Sequence, residues 1–444
     1  MVDFLEAATG QSPQYESSNG GRNKLATEDR AFHDWYRFVL SYPAHLVREY
    51  LAEFKLSEED IVLDPFCGTG TTVVESKLQG VRSIGLEANR FAQFAGSVKV
   101  DWTVDSEALR DRAQSIASNV LLRLENQGVP DYADDSEVKR TALQSLSDEQ
   151  FPLILKDSVT PVALHKSLAL LSEIECYKGQ TVYKYLRLAF AKSLVFKVSN
   201  LKFGPEVGVG RPRGHVSVVK EWLREVERMS DDLREVKAAE YPTASVKLVD
   251  SRDLAGALNG SKISAVITSP PYPNEKDYTR TTRLESVVLG FVKDKQDLRS
   301  MKKTLLRSNT RSVYREDDDD QFVEHIAEVQ SIAAEIEAKR IELGKTSGFE
   351  RMYPRLTKLY FGGMARHLKE LQTLLKPGAM LAYVVGDQAS YLRVMIRTGQ
   401  VLENIGVDLG YEKVRIDNFR TRFSTVTKDW LNEEVVVLRW PGKK

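Results

Sequence analysis

Two hydrophobic patterns alternate along the chain. Short, nearly continuous apolar runs predict strands, and longer stretches with apolar residues every three or four positions predict helices. The strand-like runs are Ile61–Asp64, Ser83–Glu87, Ser245–Asp250, Ile263–Thr268, Ala379–Val385, Glu412–Asp417 and Glu434–Trp440. Val435–Leu438 is rich in β-branched residues, as a buried strand should be. Helical spacing covers Ala44–Phe54, entered just after Pro43, and Val73–Leu78, closed by Gly80. It returns over Leu109–Leu124, Val218–Val236 and Leu359–Leu375, the last closed by Lys376-Pro377-Gly378. Strand, loop, helix and strand over Ile61–Glu87 make the opening βαβ unit of a doubly wound sheet.

The sheet pattern pauses twice. Asp105–Tyr241 reads as largely helical, and Phe291–Gly348 as a second, highly charged helical stretch. The last two strands are joined only by a loop. The expected organisation is a Ser/Gly/Asn/Gln-rich mobile tail over 1–30, with catalytic segments at 31–104, 245–290 and 351–444. Helical insertions at 105–244 and 291–350 separate these segments, and the first is the candidate DNA-recognition region.

Composition narrows the class. The 444 residues are 42% hydrophobic, enough for a sizeable core, and carry a formal net charge of +0, so any nucleic-acid surface must be local. Two cysteines, Cys67 and Cys176, rule against a disulfide framework and point to a reducing cytoplasm. The six histidines show no metal-ligand spacing, so no metal is expected. Met1–Leu25 is polar, without a secretory core, and no apolar run reaches the length of a membrane span.

The most informative stretch is Ile263–Tyr278, ISAVITSPPYPNEKDY. Two prolines cannot continue a central strand, and each fixes its own φ. Lacking N–H groups, they offer carbonyl oxygens, next to the Ser269 hydroxyl and the Tyr272 ring. Acceptors beside an aromatic face suit a flat ring carrying an exocyclic amine. Ser269-Pro270-Pro271-Tyr272 resembles the catalytic motif of the amino-methylating DNA methyltransferases, which modify cytosine N4 or adenine N6. The resemblance implies that the Pro270 carbonyl and the Ser269 side chain accept the amine hydrogens while Tyr272 stacks on a flipped base. Serine at the first position implies cytosine N4 in preference to adenine N6. Methylation at cytosine C5 needs a cysteine nucleophile, and neither cysteine follows a proline turn of that kind.

A second motif is Asp64-Pro65-Phe66-Cys67-Gly68-Thr69-Gly70-Thr71-Thr72. Glycines after a first strand let backbone approach a ligand, and the following helix N-terminus presents free N–H groups. No lysine follows Gly70, against a phosphate-cradling NTPase loop, and the third glycine of a dinucleotide loop is absent. S-adenosylmethionine remains, and the loop is similar to the cofactor motif of the same family. That likeness implies Asp64, Phe66, Gly68, Gly70 and Thr71 around the methionine part. It also implies Glu87 on the ribose and Asp250 facing the adenine amine. His33, Trp35, Tyr42 and Pro43 resemble the family's N-terminal cofactor-closing segment. The fold implied is α/β: a seven-stranded Rossmann-like S-adenosylmethionine-dependent methyltransferase sheet with two helical insertions.

Two basic stretches are candidate contacts to double-stranded DNA. One surrounds the loop FGPEVGVGRPRGH, with Lys202, Arg211 and Arg213. The other, Lys276–Arg315, holds eleven Lys/Arg against four Asp/Glu and includes Arg280 and Arg283. It ends in the acidic run Glu316–Asp320, expected as a solvated turn. No nuclease motif is present, so a restriction endonuclease or defence-system partner would be a separate chain. An RNA amino-methyltransferase shares such motifs but brings an N-terminal RNA-binding domain, and only about thirty residues precede the fold.

Overall fold

A computed structural model of the chain describes residues 29–37, 41–138, 143–204, 206–258, 260, 262–424 and 428–442. The tail expected over 1–30 lies outside these residues except at its last two positions. The strands are β1 (Ile61–Asp64), β2 (Arg82–Glu87), β3 (Leu201–Phe203), β4 (Val207–Val209), β5 (Ala244–Leu248), β6 (Ile263–Thr268), β7 (Leu375–Gly386), β8 (Glu412–Ser424) and β9 (Asp429–Arg439). Seven of them form one sheet in the order β5-β2-β1-β6-β7-β9-β8. Neighbours are parallel except at β9, which runs antiparallel to both β7 and β8. This mixed, mostly parallel sheet is that of a Rossmann-like methyltransferase fold.

The helices α1 (Ala44–Glu53), α2 (Thr71–Leu78) and α3 (Arg90–Lys99) surround the first two strands in sequence. Helices α4 (Ser106–Asn126), α5 (Pro161–Glu175), α6 (Tyr183–Ser193) and α7 (Val218–Arg234) follow before β5. Beyond β6 come α8 (Tyr278–Thr281), α9 (Arg283–Val288), α10 (Lys295–Lys303), α11 (Ala327–Glu342) and α12 (Gly348–Leu371), and α13 (Thr398–Asp408) lies between β7 and β8.

Strand period two sorts the core onto two faces. Leu63, Val266, Leu381, Tyr383, Val385 and Val436 join the cluster that contains α12 and α13 residues such as Leu368 and Leu402. Their neighbours Val62, Ile267, Ala382, Val384, Val435 and Val437 pack with Leu46, Val47 and Leu51 of α1. Both faces are covered, which is why these strands read as continuous apolar runs rather than as alternation. The helices from α4 to α7 build a further core with α2, α3 and Phe32, Trp35 and Tyr36. The start of that segment is tied down by Asp232, whose Oδ2 accepts from the Phe32 N–H at 3.1 Å and the Trp35 indole at 2.7 Å.

Three expectations change. The Gly/Pro-rich stretch after Lys197 contains the hairpin β3–β4, which the sequence did not announce because it is only three residues a side. Lys376-Pro377-Gly378 does not close a helix but lies inside β7, where pairing with β6 jumps from Ile263–Leu375 to Ala265–Met380. A proline needs no ladder partner in such a bulge. The acidic run is only in part a solvated turn: Glu316 and Asp318 are exposed, but Asp317 and Asp319 turn inward. Asp319 is 2% exposed and meets Arg252 at 2.6 Å and Arg366 at 3.2 Å, and Asp317 meets Arg307 at 2.7 Å. Gly362 of α12 permits this approach, since a Cβ there would sit 1.9 Å from the Asp319 carbonyl oxygen.

Candidate active site

Parallel strands β1 and β6 lie side by side, Leu63 opposite Val266, so both motifs leave the same edge of the sheet. Carboxyl ends of parallel strands are where an open α/β sheet opens a crevice for ligands. A cavity of about 1100 Å³ lies there, lined by Pro65, Phe66 and Gly68 from one loop and by Ser269, Pro270 and Tyr272 from the other. It is large enough for two ligands. Pro271, Tyr42, Thr71 and Glu87 also line it.

Asp64 fastens the two loops together. Its Oδ1 accepts from Thr268 Oγ1 at 2.6 Å and the Phe66 N–H at 3.1 Å, and its Oδ2 from Thr72 Oγ1 at 2.6 Å. The Tyr42 hydroxyl reaches that Oδ2 at 3.5 Å and also touches Thr72 Oγ1. Burial pushes the Asp64 carboxyl up to about 6 despite these donors. With its oxygens taken and no exposure, Asp64 does not line the cavity, so it positions the site rather than facing a ligand.

The two glycines divide their work. Gly68 has φ +52°, and a Cβ there would meet nothing within 4 Å, so open space lies over it. Gly70 has φ +89°, caps α2, and its Cβ would meet Val73 Cγ2 at 3.0 Å and the Gly96 backbone at 3.4 Å. It serves helix packing and does not line the cavity. The Gly68 N–H donates to Glu87 Oε2 at 2.8 Å, and the Asn89 N–H to Glu87 Oε1 at 2.7 Å. Burial pushes Glu87 up to about 7, against the pull of these N–H groups. Beneath the loop the buried Lys99 ammonium donates to the Thr69 carbonyl at 2.9 Å. Phe66 stands edge-on to buried His367, ring centroids 5.0 Å apart. Cys67 packs against Gly85, whose Cβ would come 2.7 Å from its sulfur.

At the second loop, the Ser269 hydroxyl donates to the Val384 carbonyl of β7 at 3.1 Å. Its one hydrogen is engaged, so toward the cavity it is an acceptor. Pro270 and Pro271 have no N–H to give. The Tyr272 N–H donates to the Tyr278 hydroxyl at 3.1 Å, which fixes the turn, and the Tyr272 ring lies over Gly386, where a Cβ would be 3.1 Å from Cε2. The result is an acceptor-only wall beside an aromatic ring.

Other expected residues fall elsewhere. Asp250 lies beyond the end of β5, its two oxygens held by Arg252 at 3.0 and 2.7 Å, and does not line the cavity. Of the N-terminal segment, Tyr42 and Pro43 line it, whereas His33 pairs with buried Glu75 at 2.6 Å. Lys202, Arg211 and Arg213 are exposed outside the cavity, but Lys197 and Glu206 beside them line it, so the hairpin edges the opening. Arg283 folds back on Thr279 Oγ1 at 2.6 Å, and neither it nor half-buried Arg280 reaches the cavity. The basic surplus after Lys276 is partly internal, since Lys302 meets Asp277 at 2.7 Å.

Asp387 and Gln388, at the tip of β7, and Asn432 and Glu433, on β9, also line the cavity. The signal that could have found Asp387 is the one that picked out Glu87: an acid ending a parallel strand. Among the described residues no cluster of His, Cys, Asp and Glu could hold a metal, and no helix is long and apolar enough to cross a membrane.

Residues 11–94 match a family model described as DNA methylase, of the N6/N4 methyltransferase group. The chain is 25% identical over 428 residues to the Type II methyltransferase M.BsoBI of Geobacillus stearothermophilus, covering 89% of this chain and 82% of that protein. It is 24% identical over 415 residues to the Type II methyltransferase M.AvaI of a Nostoc strain, covering 88% and 81%, and equally similar to M.AvaI of Anabaena variabilis. These matches support a place in the amino-methylating DNA methyltransferase family.

Proposed function

We propose that the chain is a site-specific DNA methyltransferase that moves a methyl group from S-adenosylmethionine to the exocyclic amine of a flipped base, N4 of cytosine in preference to N6 of adenine. The observation that carries this reading is the shared cavity. A glycine loop with open space over Gly68 and an acceptor-only Ser-Pro-Pro-Tyr wall open into it from neighbouring strand ends.

The residues fit the cofactor. Room above Gly68 suits close approach of a methionine part, the N-terminus of α2 at Thr71 suits its carboxylate, and Glu87 suits the ribose hydroxyls. When bound, the cofactor supplies a methyl group on an electron-poor sulfonium. An exocyclic amine is a poor nucleophile because its lone pair is delocalised into the ring. Ser269 Oγ, its own hydrogen engaged by Val384, and the Pro270 carbonyl accept the amine hydrogens and turn the lone pair out of the ring plane. Tyr272 holds the ring by stacking, and the rigid turn sets the angle of attack. The base must leave the duplex to reach this wall.

The relatives named as Type II methyltransferases support a restriction-modification role, with any endonuclease on another chain. Serine at position 269 is what favours cytosine. Modification-aware sequencing of DNA from cells expressing the chain tests the reading. N4-methylcytosine within one recurring sequence is expected, N6-methyladenine would change the base, and unmodified DNA would refute the function.

A further inference from the structure

The last two strands run on past the rest of the sheet. β7 ends at Gly386, paired with Glu433, whereas β8 and β9 stay paired for four more residues a side, from Thr421–Asn432 to Ser424–Asp429. At about 3.3 Å per residue this two-stranded ribbon projects about 13 Å. Its root is fixed. The Asp387 N–H donates to the Asn432 carbonyl at 2.8 Å, and Asp387 Oδ2 accepts from the Asn432 N–H at 3.1 Å. Arg397 Nη1 donates to the Trp430 carbonyl at 3.2 Å. Near the tip Phe423 and Trp430 face each other across the ladder, edge to face, with ring centroids 5.4 Å apart. They are 52% and 56% exposed. A cross-strand aromatic pair steadies a hairpin, but that role covers only part of each ring. Large rings exposed side by side mark a surface that meets a partner.

Position says which partner. Arg420, Asn432 and Glu433, at the root of the ribbon, line the cavity. A Cβ added at Gly386 would meet Tyr272 Cε2 at 3.1 Å, Glu433 Cγ at 3.5 Å and the Asn432 carbonyl at 3.6 Å. The root therefore adjoins the ring assigned to the target base. Trp430 is two residues from Asn432 and shares its face, so the aromatic pair continues the cavity wall outward by about 7 Å. A duplex that delivers a base to Tyr272 lies against this ribbon. Charge agrees. Residues 420–433 carry three Lys/Arg and two acids, and both acids already meet arginines: Glu433 with Arg420 at 3.5 Å and Asp429 with Arg397 at 3.3 Å. Shape agrees as well, because a two-stranded ribbon enters the major groove, whose depth of about 8.5 Å the projection exceeds.

We infer that the β8–β9 ribbon is a DNA-contact element whose Phe423–Trp430 pair packs against the bases beside the flipped nucleotide, an inference that rests on the function proposed above. Extruding a base strips its neighbours of a stacking partner. Two rings held at the mouth of the cavity replace part of that stacking and keep the gap open. Lys428, exposed beside the pair, serves the flanking phosphates.

The test is the double variant Phe423→Ala/Trp430→Ala of the full chain, with a duplex carrying the sequence found methylated, or plasmid DNA if none is. Both side chains are largely exposed, so the denaturant midpoint should stay near that of wild type. Duplex affinity should fall about 10- to 100-fold, and kcat/KM for methylation with it, while cofactor affinity stays within about twofold. Trp430→Phe, which keeps a ring, should bind duplex within about threefold of wild type. Wild-type duplex affinity in the double variant overturns the inference. So does a wild-type dimer that the double variant dissociates without loss of DNA binding, since a second copy of the chain then covers the rings. Ribbon-dependent binding with no label on any base upholds the surface and overturns only the proposed chemistry.

Discussion

Glu87 makes the cofactor half of the account quantitative. Each of its carboxylate oxygens accepts one backbone N–H, Gly68 on one side and Asn89 on the other. A glutamine can accept only one of these, and its NH2 must face the second N–H. The substitution Glu87→Gln thus removes one charge-assisted hydrogen bond and leaves a buried donor unpaired, about 1.5–3 kcal/mol. If the loss falls on the bound geometry, S-adenosylmethionine affinity drops about 10- to 150-fold. The pH dependence gives an independent check. Burial raises the Glu87 pKa to about 7, so the carboxylate is protonated below that value. Ribose hydroxyls donate to the ionised form, so wild-type affinity should be full above pH 7 and fall roughly tenfold by about pH 6. Fold stability runs the other way: a pKa raised by folding favours the fold at low pH, and that contribution is lost as pH rises through about 7. Titration calorimetry of wild type and variant between pH 5.5 and 8.5 measures both effects, with the variant flat. Equal affinities for the two proteins, or a wild type indifferent to pH, would refute the reasoning.

Tyr272→Ala should keep cofactor binding, because Tyr278 bonds to its backbone, yet lose about 10- to 100-fold in turnover through lost stacking; wild-type turnover removes the stacking role. Replacing Arg211 and Arg213 together should weaken DNA binding and reduce the slope of log affinity against log salt by about 2, and an unchanged slope in a salt titration would take that hairpin off the DNA surface. Asp319→Ala strands the Arg252 guanidinium, with Asp250 still present, so denaturant unfolding should show a loss near about 3 kcal/mol. A loss under about 1 kcal/mol would mean the cluster is solvated after all.

What could be read from the sequence was what local patterning controls. Ile61–Asp64 and Ile263–Thr268 were legible because strands buried on both faces are apolar throughout, and the two motifs were legible because glycine and proline mark backbone that nothing else can adopt. Longer-range partners were not legible. The run Glu316–Asp320 looks solvated until Arg252, 67 positions before Asp319, is brought against it. Asp250 looked like a ligand acceptor at a strand end, but Arg252, two residues on, claims it. Asp387 follows the end of a parallel strand as Glu87 does, but its clamp, Arg397 and Asn432, comes from two other elements and could not be read locally. Asp64 was expected around the methionine part, but the Thr268 hydroxyl that bonds to it belongs to the other motif, a partner the sequence does not announce.

The central claim is that the glycine loop and the proline turn act on one base in one cavity. Mass spectrometry of nucleosides from duplex DNA incubated with the purified chain and S-adenosylmethionine carrying a trideuterated methyl group tests it directly. The account predicts labelled N4-methyldeoxycytidine, present with wild type and lost with Ser269→Ala. Label on cytosine C5, or none in DNA, would contradict it.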